Sequence, residues 1–126
     1  MNKDLLIVVR HGPYGGFQAA EGLRHMNGAM SFGFKPIFVL IDDGIYLAKQ
    51  AQDPGESQWL SLGGVLEEIM ARSRSEMKEA PAKFYIEKES LIERELNPES
   101  LIKGLELIDH KKVSELLENN HLQLIF

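Results

Sequence analysis

The chain has 126 residues, of which 44% are hydrophobic and 26% charged, enough for one globular domain with its own core. Its net charge of −5, from 14 Lys and Arg against 19 Asp and Glu, argues against a broad electrostatic grip on nucleic acid. It has no cysteine, which excludes disulfides, thiolate metal sites and a cysteine nucleophile. No apolar run is long enough for a membrane span or a signal peptide, so we expect a single cytoplasmic domain over residues 1–126, without a cofactor.

The first part of the chain has the pattern of a strand, a turn, a helix and a second strand. Residues 5–9 and 37–41 are uninterrupted apolar runs, typical of strands buried on both faces of a parallel sheet. A glycine-rich turn at 12–16 precedes a helix with an expected apolar stripe at Phe17, Ala20, Leu23, Asn27 and 30–34. Phe34, Lys35 and Pro36 are expected to form the turn before the second strand.

The rest of the chain continues the alternation of helix and strand. Asp43 is expected to cap a short helix at 45–51, a loop follows at 52–56, and a long helix begins at Ser57. The expected apolar face of that helix consists of Trp59, Leu62, Leu66, Ile69, Met70 and Met77. Strands are then predicted at 83–87, 105–108 and 122–126, with helices at 90–96, 98–104 and 110–119, the last two capped by Asn97 and Asp109. This order predicts a three-layer α/β/α sandwich on a mostly parallel five-stranded sheet.

The turns that follow the first two strands are the candidate ligand or partner site. Open α/β sheets bind ligands at the carboxyl ends of their strands. The candidate residues there are His11, Gly12, Gly15, Gly16, Asp43 and Gly44. The glycines have neither dinucleotide nor P-loop spacing, and the four histidines are not paired at ligand spacing, so we expect no metal site.

The sequence Arg10-His11-Gly12 after a buried strand resembles the opening of histidine phosphatases, in which the histidine takes the phosphoryl group. Such a site also needs a second arginine clamp and a second histidine. His110 follows a strand but lacks the glycine that this family usually shows, and the chain is short for that fold. A phosphohydrolase that uses His11 is therefore a minor alternative.

Four segments in order resemble the DsrE/DsrF family, specifically its TusC or DsrF branch. They are HGPYGGFQAAEGL, FVLIDDGIYLA, FYIEKESLIERELNPESL and the terminal HLQLIF. The resemblance implies a small α/β subunit of a sulfur-relay complex, assembled with a TusD or DsrE-like subunit and a TusB or DsrH-like subunit. Such complexes pass persulfide sulfur in tRNA 2-thiouridine synthesis or in sulfur oxidation.

Sulfur-carrying members of that family have a cysteine at the end of the third strand, where this chain has Glu87 followed by Lys88. A carboxylate cannot hold sulfane sulfur, so the resemblance implies a non-catalytic subunit, with Glu87 expected near His11 and Asp43. A homo-oligomeric module of the same fold that binds a small ligand is the other alternative. In either case we expect the long helix at Gly63 and Gly64, and the last strand, to contribute to an interface between subunits.

Overall fold

The computed structural model describes residues 4–50 and 61–126, and in them the chain alternates strand and helix. The strands are β1 (Asp4–Val9), β2 (Lys35–Leu40), β3 (Lys83–Glu87), β4 (Glu106–Ile108) and β5 (Gln123–Ile125). The α-helices are α1 (Gln18–Ser31), α2 (Leu62–Glu76), α3 (Lys88–Glu93) and α4 (His110–Asn119), and 3-10 helices span Asp42–Ala48 and Pro98–Ser100. No helix in these two ranges combines the length and the apolar character that crossing a membrane requires.

The five strands form one sheet in the order β4-β3-β2-β1-β5, and every neighbouring pair is parallel. The prediction of a mostly parallel five-stranded sheet is therefore confirmed. The apolar runs of β1 and β2 lie side by side in its interior, with Leu6 opposite Ile37 and Val9 opposite Leu40. Both runs are covered on each face, as their uninterrupted apolar sequence predicts.

Two hydrophobic cores, one on each face of the sheet, make the molecule a three-layer sandwich. On one face α1, α2 and α3 pack against the strands through Leu23, Met26, Leu66, Ile69 and Leu91. On the other face α4 packs through Val113 and Leu116 against the alternate strand residues Leu6, Val8, Val39, Tyr85 and Ile108. Phe84 and Ile86 face the first core and Tyr85 the second, which is the alternation predicted for β3.

The buried face of α1 differs from the predicted stripe. Its buried residues are Ala19, Gly22, Leu23, Met26, Ala29 and Met30. Phe17 precedes the helix and is 75% exposed. The reason is the close packing of the helix on β1, because a Cβ at Gly22 would lie only 2.7 Å from Cγ2 of Val9. The face with Gly22 at its closest approach therefore packs on the sheet, and Phe17 does not.

Strand β2 begins earlier than predicted, at Lys35, so Pro36 belongs to the strand and not to a turn. Pro36 is opposite Leu5 of β1, whereas pairing with β3 begins only at Ile37. Since β2 has a single neighbour at this position, a residue without an N–H group is tolerated there.

The prediction that Asp43 caps a helix at 45–51 is wrong. The chain instead forms the 3-10 helix Asp42–Ala48, which has Ile41 at its N-cap position and no side-chain cap. The Asp43 carboxylate accepts a hydrogen bond from Arg94.

Several other helix boundaries also differ from prediction. Helix α2 begins at Leu62 because the Ser61 hydroxyl caps it, and the predicted loop at 52–56, Ser57 and Trp59 lie outside the described residues. Helix α3 begins at Lys88, directly after β3, and ends at Glu93 rather than spanning 90–96. The helix predicted at 98–104 is only the 3-10 turn Pro98–Ser100, although Asn97 caps it as predicted. The bounds of α4 and its Asp109 cap are confirmed.

Substituting Gly44 by alanine is expected to destabilise the protein by about 2–3 kcal/mol or more. A Cβ at Gly44 would lie 2.0 Å from the carbonyl oxygen of Val9, so backbone must move to make room. The measurement is the free energy of unfolding from urea denaturation.

The matched control is Gly28→Ala, inside α1, where a Cβ would meet nothing within 4 Å. This variant is expected to be more stable by about 0.5–1 kcal/mol, because alanine favours helix over glycine. If Gly44→Ala were as stable as the unmodified protein, the inferred close approach would be wrong.

Candidate functional site

The carboxyl ends of β1 and β2 are joined by backbone contacts that bring several candidate residues together. The Ile41 N–H donates to the Val9 carbonyl at 3.1 Å, and the Gly44 N–H donates to the Ile41 carbonyl at 2.9 Å. A Cβ on Gly12 would lie 3.6 Å from the Asp43 carbonyl oxygen, so the turn after β1 lies against the turn after β2. Gly12, Asp43 and Gly44 therefore share one corner of the sheet.

Ser90 links the end of β3 to this corner. Its side chain is buried, with 1% exposed. The hydroxyl accepts a hydrogen bond from the Asp42 N–H at 2.8 Å and donates one to Oε1 of Glu87 at 2.5 Å. Glu87 is the last residue of β3 and is half-buried. Through this single hydroxyl, Glu87 at the end of β3 is connected to the backbone of the turn after β2.

Two adjacent aspartates each form an ion pair with an arginine. Nε of Arg10 lies 3.1 Å from Oδ2 of Asp42, and Nε of Arg94 lies 2.9 Å from Oδ1 of Asp43. The hydrogen bond to Asp43 raises the pKa of the Arg94 guanidinium. The first pair connects the end of β1 to the turn after β2, and the second connects α3 to the same turn. Arg10 and Arg94 therefore both bind carboxylates of the turn after β2.

The backbone of Asp42 has a φ of +50°, in the left-handed region that residues other than glycine rarely adopt. Its N–H bond to Ser90 and its carboxylate bond to Arg10 hold the residue from two sides. Left-handed residues that are not glycine are concentrated at functional sites and switch regions, where neighbouring contacts maintain them. Asp42 is the residue of the corner in which such strain is observed.

The remaining predicted residues shape the turn after β1. Gly15 has a φ of +92° and open space around it, so glycine is required there for its conformation rather than for a close contact. A Cβ on Gly16 would meet the flexible side chain of Gln18. His11 is exposed between Arg10 and Gly12.

This arrangement does not favour the phosphohydrolase alternative. A phosphate clamp needs free cations around the reactive histidine. Arg10 and Arg94 instead bind aspartates, and Nδ1 of His110 lies 2.5 Å from Oε2 of Glu89.

Glu89 and His110 form a second cluster beside the corner, between the start of α3 and the start of α4. The Glu89 carboxylate accepts hydrogen bonds from the His110 N–H, at 3.1 Å to each oxygen, and contacts its ring nitrogen. The hydrogen bonds from His110 lower the pKa of Glu89, and the hydrogen bond to Glu89 raises the pKa of His110. Across residues 4–50 and 61–126, no group of three or more His, Asp or Glu side chains has an arrangement that could hold a metal ion.

Sequence reasoning missed four residues of the corner and its surroundings, Asp42, Glu89, Ser90 and Arg94, and it considered Arg10 only in the histidine phosphatase alternative. Their partners are distant in the sequence. Arg10 binds Asp42, 32 positions away, and Asp42 and Ser90 are 48 positions apart. His110 binds Glu89 across 21 positions, and Arg94 binds Asp43 across 51. The one local signal was the position of Arg10 and Asp42 directly beyond the ends of strands, where side chains of neighbouring parallel strands converge.

The fold and the corner define a class of small α/β sandwich proteins that carry their polar groups at the carboxyl ends of parallel strands. Within that class the chain belongs to the DsrE/DsrF-like family, whose model matches residues 3–126.

Two solved structures share the fold along essentially the whole chain. The ychN protein from E. coli has 21% sequence identity and a TM-score of 0.78, with 100% of each chain covered. MTH1491 from Methanobacterium thermoautotrophicum, described as a protein of unknown function, has 7% identity and a TM-score of 0.74, covering 99% of this chain and 100% of its own. A search of the curated proteins finds no match. At these identities the structural likeness establishes the fold alone.

The Glu89–His110 contact is expected to stabilise the protein in a defined pH window. The pKa of His110 is raised above its ordinary 6.5, so stabilisation by the protonated ring is complete below about pH 6.5 and is lost as the pH rises through the raised pKa. The pKa of Glu89 is lowered from 4.5, so its contribution is present above about pH 4.5 and is lost as the pH falls through the lowered value.

Glu89→Gln should therefore return the pKa of His110 toward 6.5 and should destabilise the protein more at pH 6 than at pH 9. The measurements are an NMR titration of the His110 ring and unfolding at both pH values. Glu115→Gln, on the exposed side of α4, is the control. An unchanged His110 titration in Glu89→Gln would contradict the assigned cause.

Proposed function

We propose that this chain is a non-catalytic subunit of a sulfur-relay complex, in the TusC or DsrF branch of its family. The family is associated with sulfur relay in general. The observation that carries the finer proposal is that Glu87, a carboxylate, lies between β3 and α3, where the resemblance places the cysteine of sulfur-carrying members. The role is then to complete the assembly that surrounds a sulfur carrier on another subunit.

The surroundings of Glu87 support a structural rather than a reactive role. Its carboxylate accepts a hydrogen bond from the buried Ser90 hydroxyl, which in turn accepts one from Asp42. A persulfide requires a thiol that attacks or is attacked at sulfur, and no residue of the 126 can supply one. The charged side chains of Arg10 and Arg94, which could stabilise a thiolate, are bound to aspartates.

The proposed partners are a TusD or DsrE-like subunit and a TusB or DsrH-like subunit, in a cytoplasmic complex serving tRNA 2-thiolation or sulfur oxidation. Apolar side chains at the surface support association with other subunits. The most exposed of those in residues 4–50 and 61–126 are Phe32 on the C-cap of α1 at 81%, Phe17 at 75%, Ile92 on α3 at 65% and Ile125 on β5 at 56%. The chain itself is not expected to bind nucleic acid, in keeping with its net charge of −5.

A homo-oligomeric module that binds a small ligand is the second candidate, and one observation favours it. A cavity of about 370 Å³ lies between α1 and α2, with Leu23, Val65 and Ile69 among its apolar lining residues. That volume is within the range of small-molecule sites. The two candidates differ in their partners, so the composition of the native assembly separates them.

Native mass spectrometry of the protein purified from its own source is expected to show a hetero-oligomer with two other small subunits. The supporting result is a complex whose additional masses belong to two distinct proteins of similar size. A homo-oligomer without them would favour the ligand-binding module, and a monomer at tens of micromolar in low salt would count against both.

Glu87→Cys is expected to produce a thiol with an apparent pKa below the ordinary value of about 8.5. The thiolate would lie at the amino end of α3, beside Lys88 and within reach of the Ser90 hydroxyl, all of which favour the charged form. The measurement is the rate of alkylation as a function of pH.

The reference is Glu118→Cys, at an exposed position of α4 on the opposite face of the sheet. A thiol at position 87 that titrates like the reference, or that is too buried to react, would show that the corner is not equivalent to the sulfur site of the relatives. That result would leave the assembly measured by mass spectrometry unaffected.

A further inference from the structure

A second cavity, of about 360 Å³, lies between α2 and the segment that precedes β4. Met70 and Ile102, both buried, form an apolar floor. The exposed side chains of Gln50, Glu67, Arg74 and Lys103 surround its opening. The cavity thus combines apolar surface with two cationic groups and one carboxylate, on a chain whose total charge is −5.

The wall of this cavity is fixed by backbone hydrogen bonds. The Ile102 N–H donates to the Ala48 carbonyl at 2.7 Å, and the Gln50 N–H donates to the Ser100 carbonyl at 2.9 Å. Lys49 and Leu101 form an antiparallel bridge between the same two segments. Because the end of the 3-10 helix and the 100–102 segment are held together in this way, the cavity is present without rearrangement.

Arg74 differs from every other arginine of the chain. The four others, Arg10, Arg24, Arg72 and Arg94, each form an ion pair with a carboxylate. Within the described part of the chain, neither the Arg74 side chain nor the Lys103 side chain forms a hydrogen bond or an ion pair. Two cations without an ion-pair partner therefore line the same cavity as the Glu67 carboxylate.

Gly104 positions one of these cations. It has a φ of +103°, and a Cβ there would lie 2.8 Å from Cε of Met70 and 3.7 Å from Nη1 of Arg74. The missing side chain lets the Met70 methyl and the Arg74 guanidinium pack against the backbone immediately after Lys103. Nη1 of Arg74 therefore lies close to the backbone of the residue that follows Lys103.

We propose that this cavity binds a small organic oxyanion, either a phosphate monoester or a carboxylate, with an apolar body. Arg74 and Lys103 contact the anionic oxygens, because guanidinium and ammonium groups are the strongest donors to such groups. Met70 and Ile102 contact the apolar part, and the Gln50 amide supplies a neutral polar contact. The Glu67 carboxylate at the opening disfavours ligands with several negative charges. This site is independent of the corner at Glu87.

The experiment is an NMR titration of the ¹⁵N-labelled protein with three probes: phenyl phosphate, benzoate and inorganic phosphate. Saturable shifts are expected at the amides of Ile102, Lys103 and Gly104, larger for a probe with an aromatic ring than for inorganic phosphate. Whichever of phenyl phosphate and benzoate binds with the higher affinity identifies the anionic group that the site prefers.

Arg74→Gln and Lys103→Gln are each expected to weaken binding of the preferred probe about tenfold or more. Arg74→Lys should retain part of the affinity, because it keeps the charge but not the planar fork of donors. The control is Lys111→Gln, which removes the same charge from an exposed position of α4 on the other face of the sheet and should bind as the unmodified protein does.

Equal affinity in Arg74→Gln, Lys103→Gln and Lys111→Gln would overturn the proposal, as would shifts confined to other parts of the molecule. Absence of saturable shifts with all three probes at tens of millimolar would also overturn it. None of these results bears on the subunit composition or on the reactivity of a thiol at position 87, so the two proposals fail separately.

Discussion

The geometry of the candidate corner depends on the missing side chain of Gly44. Without a Cβ, the turn after β2 lies against the carbonyl group of Val9 at the end of β1, an approach that any other residue would block. The chain reaches this position through Asp42, whose left-handed backbone redirects it after Ile41. As a result, the turn after β2 lies close to Arg10 and Gly12. Helix α3, which follows β3, contacts the same turn through Arg94.

Ser90 is the second requirement of the corner, because a buried hydroxyl must find partners for its hydrogen bonds. The Ser90 hydroxyl has two partners: it accepts a hydrogen bond from the Asp42 N–H and donates one to the Glu87 carboxylate. Among residues 4–50 and 61–126, no buried side-chain nitrogen or oxygen lacks a hydrogen-bond partner. Removal of the hydroxyl would leave a backbone donor unsatisfied, at a cost of about 1–3 kcal/mol. The serine therefore joins the third strand to the second while it holds the Glu87 carboxylate in place.

The sequence predicted elements whose signals are local and missed those that depend on tertiary contacts. The bounds of β3 and α4, with the Asp109 cap, follow from hydrophobic alternation and capping chemistry within a few residues. The predicted buried face of α1 is wrong because that face depends on the contact of Gly22 with Val9. The spacing of apolar residues along a helix does not reveal such a contact. The strand order likewise has no local signal.

The corner itself was predictable in position but not in chemistry. That residues beyond the ends of β1, β2 and β3 converge follows from the parallel sheet. The sequence does not show which side chains pair. Asp43, for example, is equally suited to cap a helix and to bind an arginine 51 positions away. The choice between them was made by the 3-10 conformation of Asp42–Ala48, which needs no side-chain cap and leaves the carboxylate available to Arg94.

The distribution of free and paired cations separates the two regions of the molecule. At the carboxyl edge Arg10 and Arg94 bind Asp42 and Asp43, so neither guanidinium is free to contact an incoming anion. Near β4 the side chains of Arg74 and Lys103 have no carboxylate partner in the described part of the chain, and they share the cavity with the buried residues Met70 and Ile102. An edge that neutralises its own charges is suited to a structural role, whereas unpaired charge next to a preformed cavity is the arrangement that an anionic ligand requires.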